Sequence, residues 1–263
     1  MATVRERIVQ LLKEHPEGLD DDEITARLGL KRRQQANACC RQLELQGHIE
    51  RRRVGRKVRN FWKVAPSPER AKPRKATVAR QTAEVSVKVE LDLDGHGEGQ
   101  FHTGLLFFDH LLAQLARHGL FDITISATGQ DQHHLVEDVG LCLGRALSQA
   151  LGDKGGIVRF GWALVPMDEA LAQVAVDLGG RGYALVEAPL GDIEGLRGDL
   201  VRHFLDTLAR EGRFNLHAQV LRGLNDHHKA EALFKALARA LGTASRPEPR
   251  LEGKTPSTKG LID

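Results

Sequence analysis

The chain has 263 residues, of which 41% are apolar and 28% charged. That is the balance of a globular protein and excludes a collagen-like or disordered chain. Its net charge of +3 conceals a division, because residues 1–80 carry +10 and residues 81–263 carry −7. Two domains are therefore expected, residues 1–64 and 80–263, joined by a linker over residues 65–79, APSPERAKPRKATVA, with three prolines and many charges. No uncharged apolar run approaches the ~18 residues of a membrane span, and the charged start MATVRERIVQ is unlike a signal peptide. The expectation is a cytoplasmic protein with no membrane partner. Three cysteines, two of them adjacent (Cys39, Cys40), offer neither a disulfide framework nor CxxC spacing and are read as buried apolar side chains.

In the first domain, Val4, Ile8, Leu11 and Leu12 recur at helical spacing before HPEG stops the helix. A second helix starts at the acidic run Asp20 to Glu23, carries Ile24 and Leu28 inward and ends at Gly29. A third runs from about Lys31 to Gln46, with Ala36, Cys40, Leu43 and Leu45 as core contacts and Lys31, Arg32, Arg33, Gln34, Gln35, Asn37 and Arg41 outward. After Gly47, two alternating stretches surround Val54-Gly55-Arg56-Lys57, a hairpin signal. This order resembles the winged helix-turn-helix domains of transcription regulators. The resemblance implies binding to duplex DNA, with Arg32, Arg33, Gln34 and Asn37 on the helix and Arg51, Arg52, Arg53, Arg56, Lys57 and Arg59 on the wing. A merely solvated basic face, or a protein-docking module, is the competing reading.

The second domain contains a duplication. HLLAQLARHG at 110–119 matches HFLDTLAREG at 203–212, and HHLVEDVGLCLGRAL at 133–147 matches HHKAEALFKALARAL at 227–241 in seven of fifteen positions. The two pieces lie 23 residues apart in one copy and 24 in the other. Both are helical in pattern, while AEVSVKVELDL, FDITISAT, ALAQVAVDL, GYALVEAPL and FNLHAQVL read as strands. The fold class expected is α+β: duplicated βα half-domains, each a mixed sheet with helices on one face. On a helix, positions i and i+4 share a face, so His133 with Glu137 and His227 with Glu231 can each grip an ion. The adjacent His134 and His228 lie about 100° around the axis and must serve a different centre. Two metals are implied, and ligation by imidazole and carboxylate fits Mn, Fe, Zn or Co.

The strings TGLLFFDHLL, HHLVEDVGLCLG, ALGDKGGIVRFG, PMDEALA, LGGRGY, NDHHKAEALFKALARAL and PSTKG, spread from about Arg80 to Leu261, resemble the imidazoleglycerol-phosphate dehydratase family. The resemblance implies a duplicated α+β fold, Mn2+ ions at subunit contacts, and a homo-oligomer of 24 subunits built from trimers. It places one metal on His110, His134, His227 and Glu231, and the other on His133, Glu137, His203 and His228. The implied reaction is loss of water from imidazole glycerol phosphate to give imidazole acetol phosphate. Glu84 in QTAEV stands at the family's proton-transferring glutamate. Arg159, Arg181, Ser257, Thr258 and Lys259 stand at its phosphate contacts, and His118 is a further substrate contact. Taken singly, Arg159 reads as a surface charge, Glu84 as solvated and PSTKG as a frayed tail. His15, His48, His96, His102 and His217 are read as ordinary surface or core residues.

Three departures from the family pattern stand out: the short loop TGQDQ before the first His-His, Gly179 in place of a serine, and Val85 in place of a threonine. Two functions of different class follow. One is a dehydratase with an appended DNA-binding domain. The other is a regulator in which a retired active site senses metal or ligand, and against it stands the retention of Glu84 and every phosphate contact.

Overall fold

The computed structural model describes residues 3–45, 47–55, 57–62 and 73–262, and the chain forms two compact units, Met1–Lys72 and Pro73–Asp263. Of the expected linker, residues 65–72 lie outside the described residues, as do Gln46 and Arg56.

The first unit runs α1 (Val4–Glu14), β1 (Leu19–Asp20), α2 (Asp21–Leu28), α3 (Arg33–Leu45), β2 (Ile49–Val54) and β3 (Lys57–Trp62). Its antiparallel sheet has the order β1-β3-β2. Thr3 with Glu6 and Asp20 with Glu23 form reciprocal caps that satisfy the first N–H groups of α1 and α2. Gly29 closes α2 in the left-handed region at φ 61°. Ile8, Leu12, Leu19, Ile24, Ala36, Cys40, Leu43 and Ile49 form the core, and burial pushes the Cys40 thiol up to about 12. Leu45, expected in that core, is 88% exposed. The buried stripe of α3 is Ala36, Cys40, Leu43, and a residue two places further on points to the opposite face.

The second unit is one motif built twice. The first half is β4 (Lys75–Gln81), β5 (Val85–Asp92), β6 (Gly99–His102), α4 (Leu106–Gly119), β7 (Asp122–Gly129) and α5 (Gln132–Leu151). The second is β8 (Phe160–Met167), β9 (Ala170–Asp177), β10 (Tyr183–Glu187), α6 (Gly198–Glu211), β11 (Asn215–Arg222) and α7 (Asp226–Ser245). Their sheets have the matching orders β4-β5-β7-β6 and β8-β9-β11-β10. In each, only the pair closed by the helical crossover is parallel. Helix α4 packs on α7 and α5 on α6, so each half covers the helices of the other, and a single apolar core runs through both.

Three strands of the second unit escape the sequence reading, as does the short β1 of the first. β4 includes residues 75–79, assigned above to the linker. Its charged alternation masks an edge strand whose Ala76 and Val78 pack on the core. β8 has Phe160, Trp162 and Leu164 exposed on one face and Ala163 and Val165 packed on the core from the other, so no period-two contrast is visible. β6 is only 4 residues long. The C-terminal segment folds back on the connection between α5 and β8, where Gly156 N–H donates to Lys254 O at 2.9 Å, so PSTKG is not a frayed tail. No helix among the described residues is long and apolar enough to cross a membrane.

Candidate metal centres and active site

The crossed packing of the helices assembles two groups of ligand side chains. His110 on α4 meets His227 and Glu231 on α7, and His203 on α6 meets His133 and Glu137 on α5, with the donor atoms of each group within 4.8 Å of one another. Under the duplication the groups exchange, and each draws on both halves.

In the first group the Glu231 Oε2 oxygen lies 3.0 Å from His110 Nε2 and 3.2 Å from His227 Nε2. Burial pushes the Glu231 carboxyl up, but Lys235 and His110 bonded to it bring it down to about 2. In the second group the His133 and His203 rings stack with centroids 4.7 Å apart. His203 Nε2 is buried without a hydrogen-bond partner among the described residues, and Glu137 Oε1 lies 3.6 Å away. A buried, unpartnered nitrogen is costly unless something outside the chain takes its lone pair. Two imidazoles and a carboxylate converging there fit a divalent ion.

His134 and His228 join neither group. His134 Nδ1 lies 2.6 Å from Asp131 Oδ2, and His228 Nδ1 lies 2.7 Å from Glu169 Oε2. His227 Nδ1 has a carboxylate partner too, Glu194, at 2.8 Å. An ionised carboxylate can only accept, so each of these rings carries a proton on Nδ1, and a carboxylate on the second ring nitrogen is the partner that orients a metal-binding histidine. Asp131, from the short TGQDQ loop, also caps α5 by accepting from His134 N–H.

Glu84 sits in the turn between β4 and β5, exposed, with Oε2 3.6 Å from His134 Nδ1. The five expected phosphate contacts, Arg159, Arg181, Ser257, Thr258 and Lys259, line one cavity of about 730 Å³. Arg159 enters it at φ 75°. Asp177 holds its Nε and Nη2 at 2.7 and 3.1 Å, and Pro256 O accepts from its Nη1 at 2.8 Å. Gly179 lines the same wall. His118 is half-buried on α4 and belongs to neither ligand group nor to this cavity. Burial, with Lys235 and Arg239 nearby, lowers its pKa. The sequence reading missed Asp131, Glu169, Glu194 and Asp177. Aligning MDEALAQ with TAEVSVK as a further part of the internal repeat would have found Glu169.

In the first unit, several cations expected along the wing are held by the acidic start of α2. Arg51 is buried against Asp21 at 3.1 Å, and Asn37 donates to the same carboxylate at 2.6 Å. Lys57 pairs with Asp20 at 2.5 Å, Arg59 with Glu23 at 2.9 Å and Arg33 with Asp22 at 3.1 Å. Local charge counting could not foresee this pairing across distant segments. Arg32, Gln34, Arg52 and Arg53 are exposed, with Arg52 lying 4.0 Å over the Phe61 ring.

Fold and ligand groups together define an internally duplicated α+β enzyme domain with two pseudo-equivalent His/Glu centres. The imidazoleglycerol-phosphate dehydratase family profile matches residues 103–241. The chain is 59% identical over 192 residues to an imidazoleglycerol-phosphate dehydratase of Dehalococcoides mccartyi, covering 72% of this chain and 98% of the relative. To that of Chloroflexus aggregans it is 55% identical over 194 residues, covering 72% and 95%. Among solved structures, the dehydratase of Pyrococcus furiosus aligns at TM-score 0.62 and 39% identity, over 70% of this chain and 100% of that one. The Staphylococcus aureus dehydratase aligns at TM-score 0.60 and 32% identity, over 66% and 99%. The chain belongs to the imidazoleglycerol-phosphate dehydratase family and is a hydro-lyase of histidine biosynthesis.

Proposed function

We propose that the second unit converts imidazole glycerol phosphate to imidazole acetol phosphate with two divalent ions, Mn2+ by preference. The observation that carries this reading is the pair of crossed ligand groups, with the unpartnered His203 Nε2 in one of them. His110, His227 and Glu231 would hold one ion, and His133, Glu137 and His203 the other. His134 would complete the first and His228 the second, both supplied by another copy of the chain. Sharing ligands in this way supports a homo-oligomer, proposed as 24 subunits built from trimers. When bound, the ions supply Lewis acidity toward the substrate's imidazole ring.

Dehydration breaks a C–H and a C–O bond on adjacent carbons, and neither a non-acidic hydrogen nor a hydroxide departs readily in water. Glu84, exposed beside His134, is placed to take the proton, which leaves with the hydroxyl as water. Arg159, locked by Asp177, presents its remaining N–H donors to the phosphate together with Arg181, Ser257, Thr258 and Lys259. His118 is kept as a secondary substrate contact. Turnover of imidazole glycerol phosphate with and without Mn2+, on chelator-stripped enzyme, tests the reading.

For the first unit we propose a winged-helix domain that binds duplex DNA. The element order α1-β1-α2-α3-β2-β3 supports it, with Arg32, Gln34, Arg52 and Arg53 as the contacts left exposed. Gel shift of the full chain on duplex DNA at low and moderate salt is the test.

A further inference from the structure

The strand registers make the duplication exact enough to match residues outside the repeated helices. Asp92 pairs with Asp122 where β5 meets β7, and Asp177 with Asn215 where β9 meets β11. Counting back along β5 and β9 from those pairs superposes Glu84 on Glu169. Each ends the turn between the first two strands of its half, and each faces the second member of a His-His pair, His134 or His228.

Their surroundings have diverged. Glu169 Oε2 lies 2.7 Å from His228 Nδ1, while its Oε1 accepts the backbone N–H groups of Leu224 at 3.0 Å and Asn225 at 2.8 Å. In the other half the carboxylate on the histidine is Asp131, the N-cap of α5, at 2.6 Å from His134 Nδ1, and Glu84 stands off at 3.6 Å. The N-cap of α7 is Asn225, a neutral amide that accepts from the His227 and His228 N–H groups. Its half therefore needs Glu169 to supply the charge.

We propose that Glu169 is a positioning residue that fixes His228 as the Nδ1–H tautomer with Nε2 free to bind metal, and that Asp131 does this for His134, which releases Glu84 for proton transfer. The inference rests on the two-metal reading above. A neutral imidazole has one N–H, and a carboxylate on Nδ1 keeps it there. A carboxylate already accepting three hydrogen bonds is a poor base, and this accounts for one half alone providing the proton acceptor. In Glu169→Gln the backbone N–H groups retain the amide oxygen, so the –NH2 faces Nδ1. The ring must then protonate Nε2 and lose its ligand lone pair.

The test is Mn2+ binding to the full-length chain, by equilibrium dialysis with electron paramagnetic resonance, alongside steady-state kinetics for the wild type, Glu169→Gln, Glu169→Asp and Glu84→Gln. Glu169→Gln is expected to weaken Mn2+ about 10- to 100-fold at one of the two centres, with turnover regained as Mn2+ is raised. Glu169→Asp, which keeps a carboxylate, recovers most of that affinity. Glu84→Gln binds Mn2+ as the wild type does and stays inactive at every Mn2+ concentration. Wild-type Mn2+ affinity in Glu169→Gln overturns the proposal, and so does a loss of turnover that added Mn2+ leaves unrepaired. A wild-type chain that takes up no Mn2+ defeats the two-metal reading itself, a result distinct from either.

Discussion

His110 Nε2 and Glu231 Oε2 lie 3.0 Å apart although 121 residues separate them in the chain. One belongs to α4 of the first half and the other to α7 of the second. His203 and Glu137 repeat the relationship in reverse, from α6 to α5. Each ligand group thus depends on the packing of both halves.

His134→Ala and His228→Ala are each expected to abolish turnover and to lower bound Mn2+, because a substrate activated by two ions cannot be activated by one. Metal analysis and steady-state kinetics on each variant check this. Full turnover by chelator-treated, metal-free wild type would refute it.

Assembly should follow the metal. With Mn2+ the chain is expected to form a shell of trimers, and chelation should return it to smaller species, because His134 and His228 lie outside the ligand groups of their own chain. Multi-angle light scattering with and without chelator measures this, and a monomer at saturating Mn2+ would rule it out.

Arg159→Lys should raise KM for the phosphate substrate about 10- to 100-fold, equivalent to about 1.4 to 2.7 kcal/mol. Lysine retains the charge but cannot keep the two-point contact with Asp177 while also reaching Pro256 O. An unchanged KM would remove Arg159 from the substrate contacts.

Lys154 gives a pH signature for the second unit. Burial, with Arg213 adding to it, pushes its ammonium down to about 8, against about 10.4 for an unfolded lysine. Below pH 8 the folded chain bears the full cost of holding the charge. Between pH 8 and about 10.4 the unfolded chain binds more protons, so this residue's contribution to stability rises with pH. Urea unfolding across that range should show a positive slope that Lys154→Met flattens. The same slope in the variant would assign the effect to other groups.

In the first unit, Asp21→Ala leaves Arg51 buried and unpaired, since the two side chains are only 3% and 9% exposed. A cost of about 3 to 5 kcal/mol is expected, measured as a lower melting temperature of that unit. Replacing Arg52 and Arg53 by alanine should instead lower the melting temperature far less, the loss being limited to the Arg52 contact with the Phe61 ring, and weaken DNA binding, with the salt dependence reduced by about one counterion per lost contact. An unaltered salt slope would count against a phosphate-facing wing.

Much of the active-site chemistry is legible in local spacing. His133 with Glu137 and His227 with Glu231 are four residues apart on helices, so helical geometry alone brings them together. The duplication announces two centres before any coordinate is known. Five strands of the second unit show a period-two contrast because one face is buried and the other wet. β8 escapes because it is apolar on both faces, and β4 because its charges resemble a linker. What pairs with what across long separations was decided only in three dimensions: α4 on α7, Asp21 on Arg51, and Glu169, but not Glu84, tight against a histidine. Periodicity records which residues an element buries. It carries no information about which distant segment covers them, because that choice belongs to the packing of the whole core.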